Sequence, residues 1–386
     1  MNPKDFTNPS SGHPIKTQSG CWAFIPAPLP PDLAWSPALI SRLSEADRAL
    51  AQLSEVGKRF PTPHIMVKPF VRREAVLSSR IEGTQTTLED LYTYEAEQLS
   101  FLAPGSDARE VHNYVRALEF GLTRVDTLPV SLRLIRELHQ RLMEGVRGEY
   151  WHPGEFRKSQ NWIGPPGATI ETATYVPPPV EKMKEGLNQF EKYIHTPSEI
   201  PPLIRLGLIH YQFEALHPFL DGNGRIGRLL ITLLLCEWGL LSQPLLYLSA
   251  YFNTNRLEYY QRLLEVSKKG AWEEWLRFFL TGVRDQSLAA SETVDALLAI
   301  RDSYQDQLQG ERTFDRLMQV IDFLLGQPIA TIRQVEAGIE ASDYKVAQRY
   351  VEKLVEHKIL REITGKARNR VYRADGILSA ISSPTN

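Results

Sequence analysis

Twelve consecutive residues, His217-Pro-Phe-Leu-Asp-Gly-Asn-Gly-Arg-Ile-Gly-Arg228, hold a base, an acid, an amide, two guanidiniums and three glycines between two strongly apolar segments. Upstream, Leu206, Ile209, Phe213 and Leu216 recur at helical spacing, and downstream Leu229 to Trp238 is almost wholly apolar until Gly239. The spacing predicts a helix, a tight loop and the start of a second helix. In that geometry Gly222 to Gly224 present successive backbone N–H groups at a helix N-terminus, where orphan donors and the macrodipole favour an anion such as phosphate. Arg225 and Arg228, three apart, lie on one face of the first turn and reach the same anion with charge-assisted hydrogen bonds. The stretch reads as a phosphate cradle with a histidine at its edge.

Other readings of these residues fail at particular positions. Asp-Gly and Asn-Gly favour hairpin turns, but the flanks repeat at three and four residues instead of alternating. Asp221 and Asn223 fit the first two ligand positions of a calcium loop; Arg225 then falls where an Asp or Asn is needed, and Thr232 where the bidentate Glu belongs. No Lys-Ser/Thr follows the glycines, which excludes a P-loop. A lone His beside a helix end is usually structural, whereas one accompanied by Asp, Asn and two Arg points to chemistry.

The segment resembles the signature of the Fic (filamentation induced by cAMP) family, His-x-Phe-x-Asp/Glu-Gly-Asn-Gly-Arg-x-x-Arg, and every specified position is matched. The resemblance implies a mainly α fold, a Fic-type helical core with a small β-hairpin flap, that transfers AMP from ATP to a Tyr, Thr or Ser hydroxyl of a target protein and releases pyrophosphate. By the same resemblance His217 is the general base and Asp221 holds Mg²⁺ against the α- and β-phosphates. Asn223 and the loop amides bind phosphate oxygens, Arg225 the β-phosphate and Arg228 the γ-phosphate, with Gly222, Gly224, Ile226 and Gly227 in the same nucleotide cradle. The chemistry suits that assignment. Attack at the α-phosphorus builds negative charge on equatorial and leaving oxygens, so positioning and electrostatic stabilisation supply most of the catalysis. A His near its ordinary pKa of about 6.5 is partly neutral near pH 7 and serves as a base worth ~10²–10⁴ in rate.

Composition narrows the setting. At 386 residues there is room for roughly two or three domains. A net charge of −2 excludes a global polycation, so nucleic-acid or membrane binding would have to be local. Cys21 and Cys236 are the only cysteines, and Cys236 falls in an apolar helix, so a disulfide framework is not expected and a reducing cytoplasm is. The polar N-terminus has no signal-peptide pattern, and the longest apolar run, Leu229 to Cys236, is too short to span a bilayer.

Residues 1–35, rich in Pro, Ser and Gly, read as an extended or partly ordered arm, and residues 36–106 as an N-terminal helical region. Helical periodicity begins near Ser36-Pro37, with Leu39, Ile40, Leu43, Ala46, Leu50 and Leu53 on one face. A second helix, about 68–83, ends in Glu82-Gly83, with Gly83 suited to the position after a helix end. On its own, Ser78-Ser-Arg-Ile-Glu82-Gly83 is simply a helix terminus. The resemblance implies more, because Ser78, Glu82 and Gly83 match the Ser/Thr-x-x-x-Glu-Gly/Asn pattern of the family's inhibitory helix, in which Glu82 pairs with Arg228 in place of the γ-phosphate.

The helical core is expected over 107–284, with a break at Thr127 to Ser131 where Ser131 caps the next helix. Between Gly148 and Pro179 the periodicity lapses, and Gly154-Glu-Phe-Arg157 and Asn161-Trp-Ile-Gly164 read as a long surface loop. The resemblance places the flap here, at about 159–175, where strand addition would dock the target protein. Tyr251, Asn255, Tyr259 and Tyr260 stand in helical surroundings, a spacing that for aromatics is ordinarily core packing; the resemblance implies that this region lines the adenine pocket, with Tyr260 the candidate contact. Trp272 to Val283 closes the core, and 285–310 is expected as a charged connecting helix.

Residues 311–378 have their own organisation, resembling a winged helix-turn-helix domain. Helices are expected over Phe314 to Leu325, over Thr331 to Ile339, and from a Ser342 cap to His357 with Val346, Val351, Leu354 and Val355 inward, followed by a hairpin from Leu360 to Arg373 around Gly365. Lys345, Gln348 and Arg349 would face outward, with Lys366, Arg368, Arg370 and Arg373 on or near the wing, a surface suited to phosphate contacts. Acidic residues nearly balance these, so the module is equally suited to DNA and to a protein partner, and a homodimer is compatible with it. Three functions follow: an adenylyltransferase restrained by Glu82, a nucleotide-sensing DNA-binding regulator, and an enzyme that removes AMP. The intact set His217, Asp221, Asn223, Arg225 and Arg228 favours an enzyme over a sensor, which would need no base.

Overall fold

The computed structural model describes residues 1–58, 63–97, 106–125, 127–146 and 152–382. The chain opens with an antiparallel hairpin, β1 (Gly12–Lys16) and β2 (Trp22–Pro26). Helices α1 (Pro37–Val56), α2 (Pro63–Ile81), α3 (Leu88–Glu97), α4 (Asp107–Arg124) and α5 (Leu132–Leu142) follow. After an irregular stretch come α6 (Val180–His195), α7 (Pro202–Leu216), α8 (Asn223–Glu237), α9 (Ser249–Thr254), α10 (Arg256–Lys269) and α11 (Trp272–Leu308). The last part contains α12 (Phe314–Gly326), β3 (Ile329–Thr331), α13 (Ile332–Gly338), α14 (Tyr344–Glu356), β4 (Arg361–Glu362), β5 (Val371–Arg373) and α15 (Asp375–Ser382), with the strands in the order β3-β5-β4, all antiparallel. The architecture is mainly helical. No helix among the described residues is long and apolar enough to cross a membrane.

Local chemistry sets the helix ends. Ser36 accepts from the Leu39 amide at 3.1 Å, Ser131 from the Leu134 amide at 3.4 Å, and Thr331 with Gln334 forms a reciprocal capping box. Helices α7 and α8 are apolar on nearly every face, which forces them to the centre, and both are buried along almost their full length. Helix α4 packs on α5 and α2, and α11 lies along α1 and against α7, so the loop between α7 and α8 is held inside a helical frame.

Several expectations change. Within the arm at 1–35, residues 12–26 form a hairpin held to the core, because Phe24 is fully buried against Phe6 and Tyr175, and its amide donates to the Val176 carbonyl at 2.9 Å. Residues 159–175 form no two-stranded ladder; Ile163 and Tyr175 make an isolated antiparallel bridge, and turns occupy the residues between them. Of the irregular stretch 148–179, residues 148–151 lie outside the described residues, as do 98–105 at the end of the N-terminal region. A single 37-residue helix, α11, runs through the expected boundary at 284/285, since its apolar face continues from Val283 to Ala290, Val294 and Leu297. Helix α2 starts at Pro63 and carries Pro69 within it. Asp343, rather than Ser342, caps α14, and Val355 is 36% exposed while Ala347 takes an inward position. Arg373 is paired with Glu89 and with Asp375, which withdraws its charge from the expected basic wing.

The C-terminal part grips the chain on both sides of Glu82. Helix α12 packs on α2, and the Gly326 position lies so close to Ile65 that a β-carbon there would be 3.0 Å from its carbonyl oxygen. Tyr92 and Ala96 of α3 share a buried cluster with Ile329, Val371 and Leu378, and Gln334 Nε2 donates to the Glu95 carbonyl at 3.0 Å. Arg72 of α2 pairs with Glu95 at 2.8 Å in a largely buried bridge.

The arm gives a direct test. Phe24→Ala removes a fully buried ring and is expected to cost about 3–5 kcal/mol in urea unfolding; an unpacked arm would leave the midpoint unchanged.

Candidate active site

The loop between α7 and α8 begins and ends in left-handed backbone. His217 closes α7 at φ 46°, ψ 62°, and Gly222 precedes α8 at φ 76°. Asn223 staples the turn, because its Oδ1 accepts the Phe219 amide at 2.8 Å and its Nδ2 donates to the Phe219 carbonyl at 2.9 Å. Each end of this buried amide thus makes one bond to the loop. Among the described residues no side chain caps the α8 N-terminus, so the amides of Asn223, Gly224 and Arg225 are donors suited to an anion at this helix end.

His217 meets two fixed partners. Its amide donates to the Phe213 carbonyl at 3.0 Å, and Nδ1 lies 3.2 Å from the Glu214 carbonyl. A carbonyl can only accept, so the proton sits on Nδ1 and Nε2 carries the lone pair. Burial pushes the imidazole down to about 4, with Arg157 contributing in the same direction against Glu82 and Asp221. The ring is therefore neutral at pH 7, more completely than an ordinary value of about 6.5 would allow. Two residues missed in the sequence hold the same backbone: Arg157 Nε donates to the His217 carbonyl at 3.0 Å and Asn161 Nδ2 at 3.2 Å.

Arg228 is buried against α2. Its Nη2 reaches Glu82 Oε1 at 2.6 Å and the Ser78 carbonyl at 2.9 Å, while Nε donates to Ser78 Oγ at 2.9 Å. Burial opposes both charges, yet the Arg228 guanidinium holds the Glu82 carboxyl below its usual range, and Glu82 in turn raises Arg228. A β-carbon at Gly224 would lie 2.4 Å from Glu82 Oε1 and 2.8 Å from Arg228 Nη1, so only glycine lets the pair sit over the first turn of α8. Gly227 has the matching role toward Glu214, whose Oε1 would be 2.3 Å from a β-carbon there. Ile226 is fully buried and anchors the turn in the core.

Arg225, also buried, is loosely held. Its Nη1 stands 3.5 Å from Glu110 Oε2, Nη2 3.5 Å from Asp221 Oδ1, and Nε has no hydrogen-bond partner among the described residues. Buried guanidinium donors left unmatched are costly, and an anion at the α8 N-terminus would satisfy them. The Asp221 side chain is 41% exposed, and its Oδ1 accepts the Gly222 amide at 2.6 Å. Among the described residues no three His, Cys, Asp or Glu side chains form a metal cage. One carboxylate beside a phosphate cradle fits Mg²⁺ as that ion is held in nucleotide sites, by one or two carboxylates and the substrate's own phosphates.

Further groups were not foreseen. His139 stacks on Phe219 at 3.7 Å, accepts the Gly154 amide on Nδ1 at 2.9 Å and faces the Asp221 carbonyl with Nε2 at 3.1 Å, which fixes its tautomer and the height of the loop. Burial pushes it down to about 4. Glu214 is pushed up to about 7 by burial, and its sealed Oε1 has no partner. His210 bridges the Gly227 carbonyl and Tyr259 Oη at 3.2 and 2.8 Å. Tyr260 is 41% exposed, with its ring 5.4 Å from that of Tyr259, and its phenol is raised first by burial and then by Glu82.

Residues 40–123 match the model described as Fic/DOC family N-terminal, and residues 129–235 the model described as Fic/DOC family. The chain is 25% identical over 244 residues to the protein adenylyltransferase Fic of Drosophila willistoni, covering 61% of this chain and 45% of that protein. It is 27% identical over 205 residues to the protein adenylyltransferase Fic of Drosophila virilis, covering 51% of this chain and 38% of the other. The chain thus spans less than half the length of these curated relatives. A solved Fic family protein from Desulfovibrio desulfuricans G20 superposes with a TM-score of 0.57 at 19% identity, over 89% of this chain and 98% of that one, a likeness of fold alone.

The tautomer and charge of His217 can be observed directly. In ¹⁵N-histidine spectra its imidazole is expected to show a protonated Nδ1 and no titration between about pH 5.5 and 8; a midpoint near 6.5 would contradict the buried, neutral ring.

Proposed function

We propose, from the premise that this chain belongs to the Fic/DOC family over residues 40–123 and 129–235, that it is a protein adenylyltransferase restrained by Glu82. The observation that carries the reading is the neutral His217, with its Nε2 lone pair free, at the edge of an uncapped helix N-terminus that also presents Arg225 and Arg228. ATP is the substrate. Its phosphates would lie on the α8 amides, with Arg225 and Arg228 taking charge that grows on the leaving pyrophosphate. Mg²⁺ brought in on the nucleotide would be held by Asp221 and would neutralise charge on the α- and β-phosphates. His217 Nε2 takes the proton from the target hydroxyl as its oxygen attacks the α-phosphorus. The Ile163–Tyr175 bridge, with Trp162 44% exposed beside it, is the surface we assign to the incoming target segment. Tyr260 is the candidate adenine contact.

Restraint rests on the Glu82–Arg228 pair. A γ-phosphate and the Glu82 carboxylate require the same guanidinium, so an ATP bound while the pair is closed lacks one of its phosphate ligands. We read α12 through β5 as a winged helix-turn-helix, with exposed Lys345, Arg349, Arg368 and Arg370 available to a partner. A reducing cytoplasm is the proposed setting, supported by two free cysteines.

The test is transfer from α-phosphate-labelled ATP with Mg²⁺ present. Glu82→Gly is expected to raise labelling about 10–100-fold, the worth of one charged hydrogen-bonded contact, and His217→Ala to lower it by ~10²–10⁴ in that background. Equal labelling by all three forms would overturn the reading. Because His217 titrates at about 4, and the base is the neutral form, the His217-dependent limb of kcat/KM falls only as pH drops toward 4 and is flat from about pH 6 to 8. A limb with its midpoint near 6.5 would exclude His217 as the base.

A further inference from the structure

Arg157 belongs to the Gly154-Glu-Phe-Arg157 segment, which the sequence suggested was surface loop, yet it is 2% exposed. Its Nε donates to the His217 carbonyl at 3.0 Å, Nη1 to the Ser159 carbonyl at 3.1 Å and Nη2 to the Pro178 carbonyl at 2.5 Å. Its own amide donates to the Pro218 carbonyl at 2.9 Å. Among the described residues no carboxylate pairs with this guanidinium. Burial pushes it down only to about 10, so it is charged at pH 7. Buried cations are ordinarily paired with an anion. This one is solvated by three carbonyl dipoles instead, and one of them belongs to the residue proposed as the base.

That residue is in the left-handed region, which a side chain bearing a β-carbon rarely adopts unless its surroundings dictate it. Asn161 adds a second donor to the same carbonyl and reaches the Phe219 carbonyl at 2.8 Å. We propose that Arg157 is the positioning residue for His217: together with Asn161 it locks the left-handed turn that points Nε2 at the target hydroxyl, and its contacts with Ser159 and Pro178 tie that turn to both ends of the target-docking segment. Seating of the docking segment and aim of the base are thereby a single arrangement. The inference rests on His217 being the base.

The test uses the full chain in the Glu82→Gly background, with Arg157→Met, Arg157→Lys and Asn161→Ala. Arg157→Met is expected to lower kcat about 10–100-fold, as misaiming a catalytic group does, with KM for ATP within about 2-fold. Arg157→Lys, which keeps the charge and one donor, recovers part of the loss. A second readout is independent of activity. The charged groups facing the His217 ring are Glu82 at the end of α2, Asp221 in the loop and Arg157, so loss of the cation shifts the imidazole titration upward in ¹⁵N spectra. A kcat equal to the parent's with an unmoved titration in Arg157→Met overturns the proposal. If Arg157→Met does not fold, Arg157→Lys and Asn161→Ala decide, and parental kcat in both overturns it. Absence of any His217-dependent transfer in Glu82→Gly itself would instead remove the adenylyltransferase reading.

Discussion

Arg228 is a guanidinium sealed inside the protein, and the rest of the site is arranged around its need for an anion. The cost of burying such a charge is recovered only with good geometry and several hydrogen bonds. Ser78 supplies a hydroxyl and a carbonyl, and Glu82, about a third exposed, supplies the negative charge. Ser78 is in the last turn of α2 and Glu82 immediately follows the helix end, so the two reach the same guanidinium from the same side. Without Glu82 the guanidinium keeps Ser78 and the more distant Glu214 carboxyl, so the place that Glu82 fills is one an incoming anion would take. On the proposed reading this makes restraint and substrate binding two uses of one charge.

Helix α2 is itself held firmly. Glu74, buried on α2, accepts hydrogen bonds from Tyr114 at 3.0 Å and from Ser249 Oγ at 2.5 Å, linking α2 to α4 and α9. Burial pushes this carboxyl up to about 7, against those hydrogen bonds. Helix α12 covers the outer side of α2, and the β3–β5 sheet buries α3 just beyond Gly83. Glu82 thus sits at a joint between two helices that the C-terminal part of the chain grips from both ends. Any motion of that part would be felt at the joint, since packed helices shift as units rather than deform.

The other half of the site is a backbone problem. A seven-residue turn from His217 to Asn223 must aim a side chain from a left-handed position and still expose amides at the α8 N-terminus. Asn223 closes it from within, His139 supports it beneath Phe219 and the Asp221 carbonyl, and Arg157 with Asn161 holds its first carbonyl. Burial, with Arg157 acting in the same direction, keeps the His217 ring neutral, which is what the proposed role of base requires.

Much of this was legible in the residues themselves. The Ser131 cap, the glycines around the loop and the apolar run of α8 are local signals, and the helix–loop–helix followed from them, whereas the cap expected at Ser342 falls one residue later, on Asp343. The hairpin at 12–26 was missed because a short stretch rich in Pro, Ser and Gly carries no strong alternation, and its order comes from Phe24 reaching Phe6 and Tyr175. The expected flap ladder reduced to one bridge because a segment so rich in Gly and Pro lacks donors and β-propensity for more. By itself, then, the sequence determined the helices, the turn and the identity of the charged groups, all of which depend on neighbours within a few residues. The resemblance had already paired Glu82 with Arg228 across 146 residues, and the structure brings them to 2.6 Å; only the tertiary structure decided that Arg157 meets the His217 carbonyl, 60 residues away. It also decided that Asn223 serves the loop and that His217 titrates at about 4, because side-chain pairing and desolvation are properties of the packed interior that no local pattern encodes.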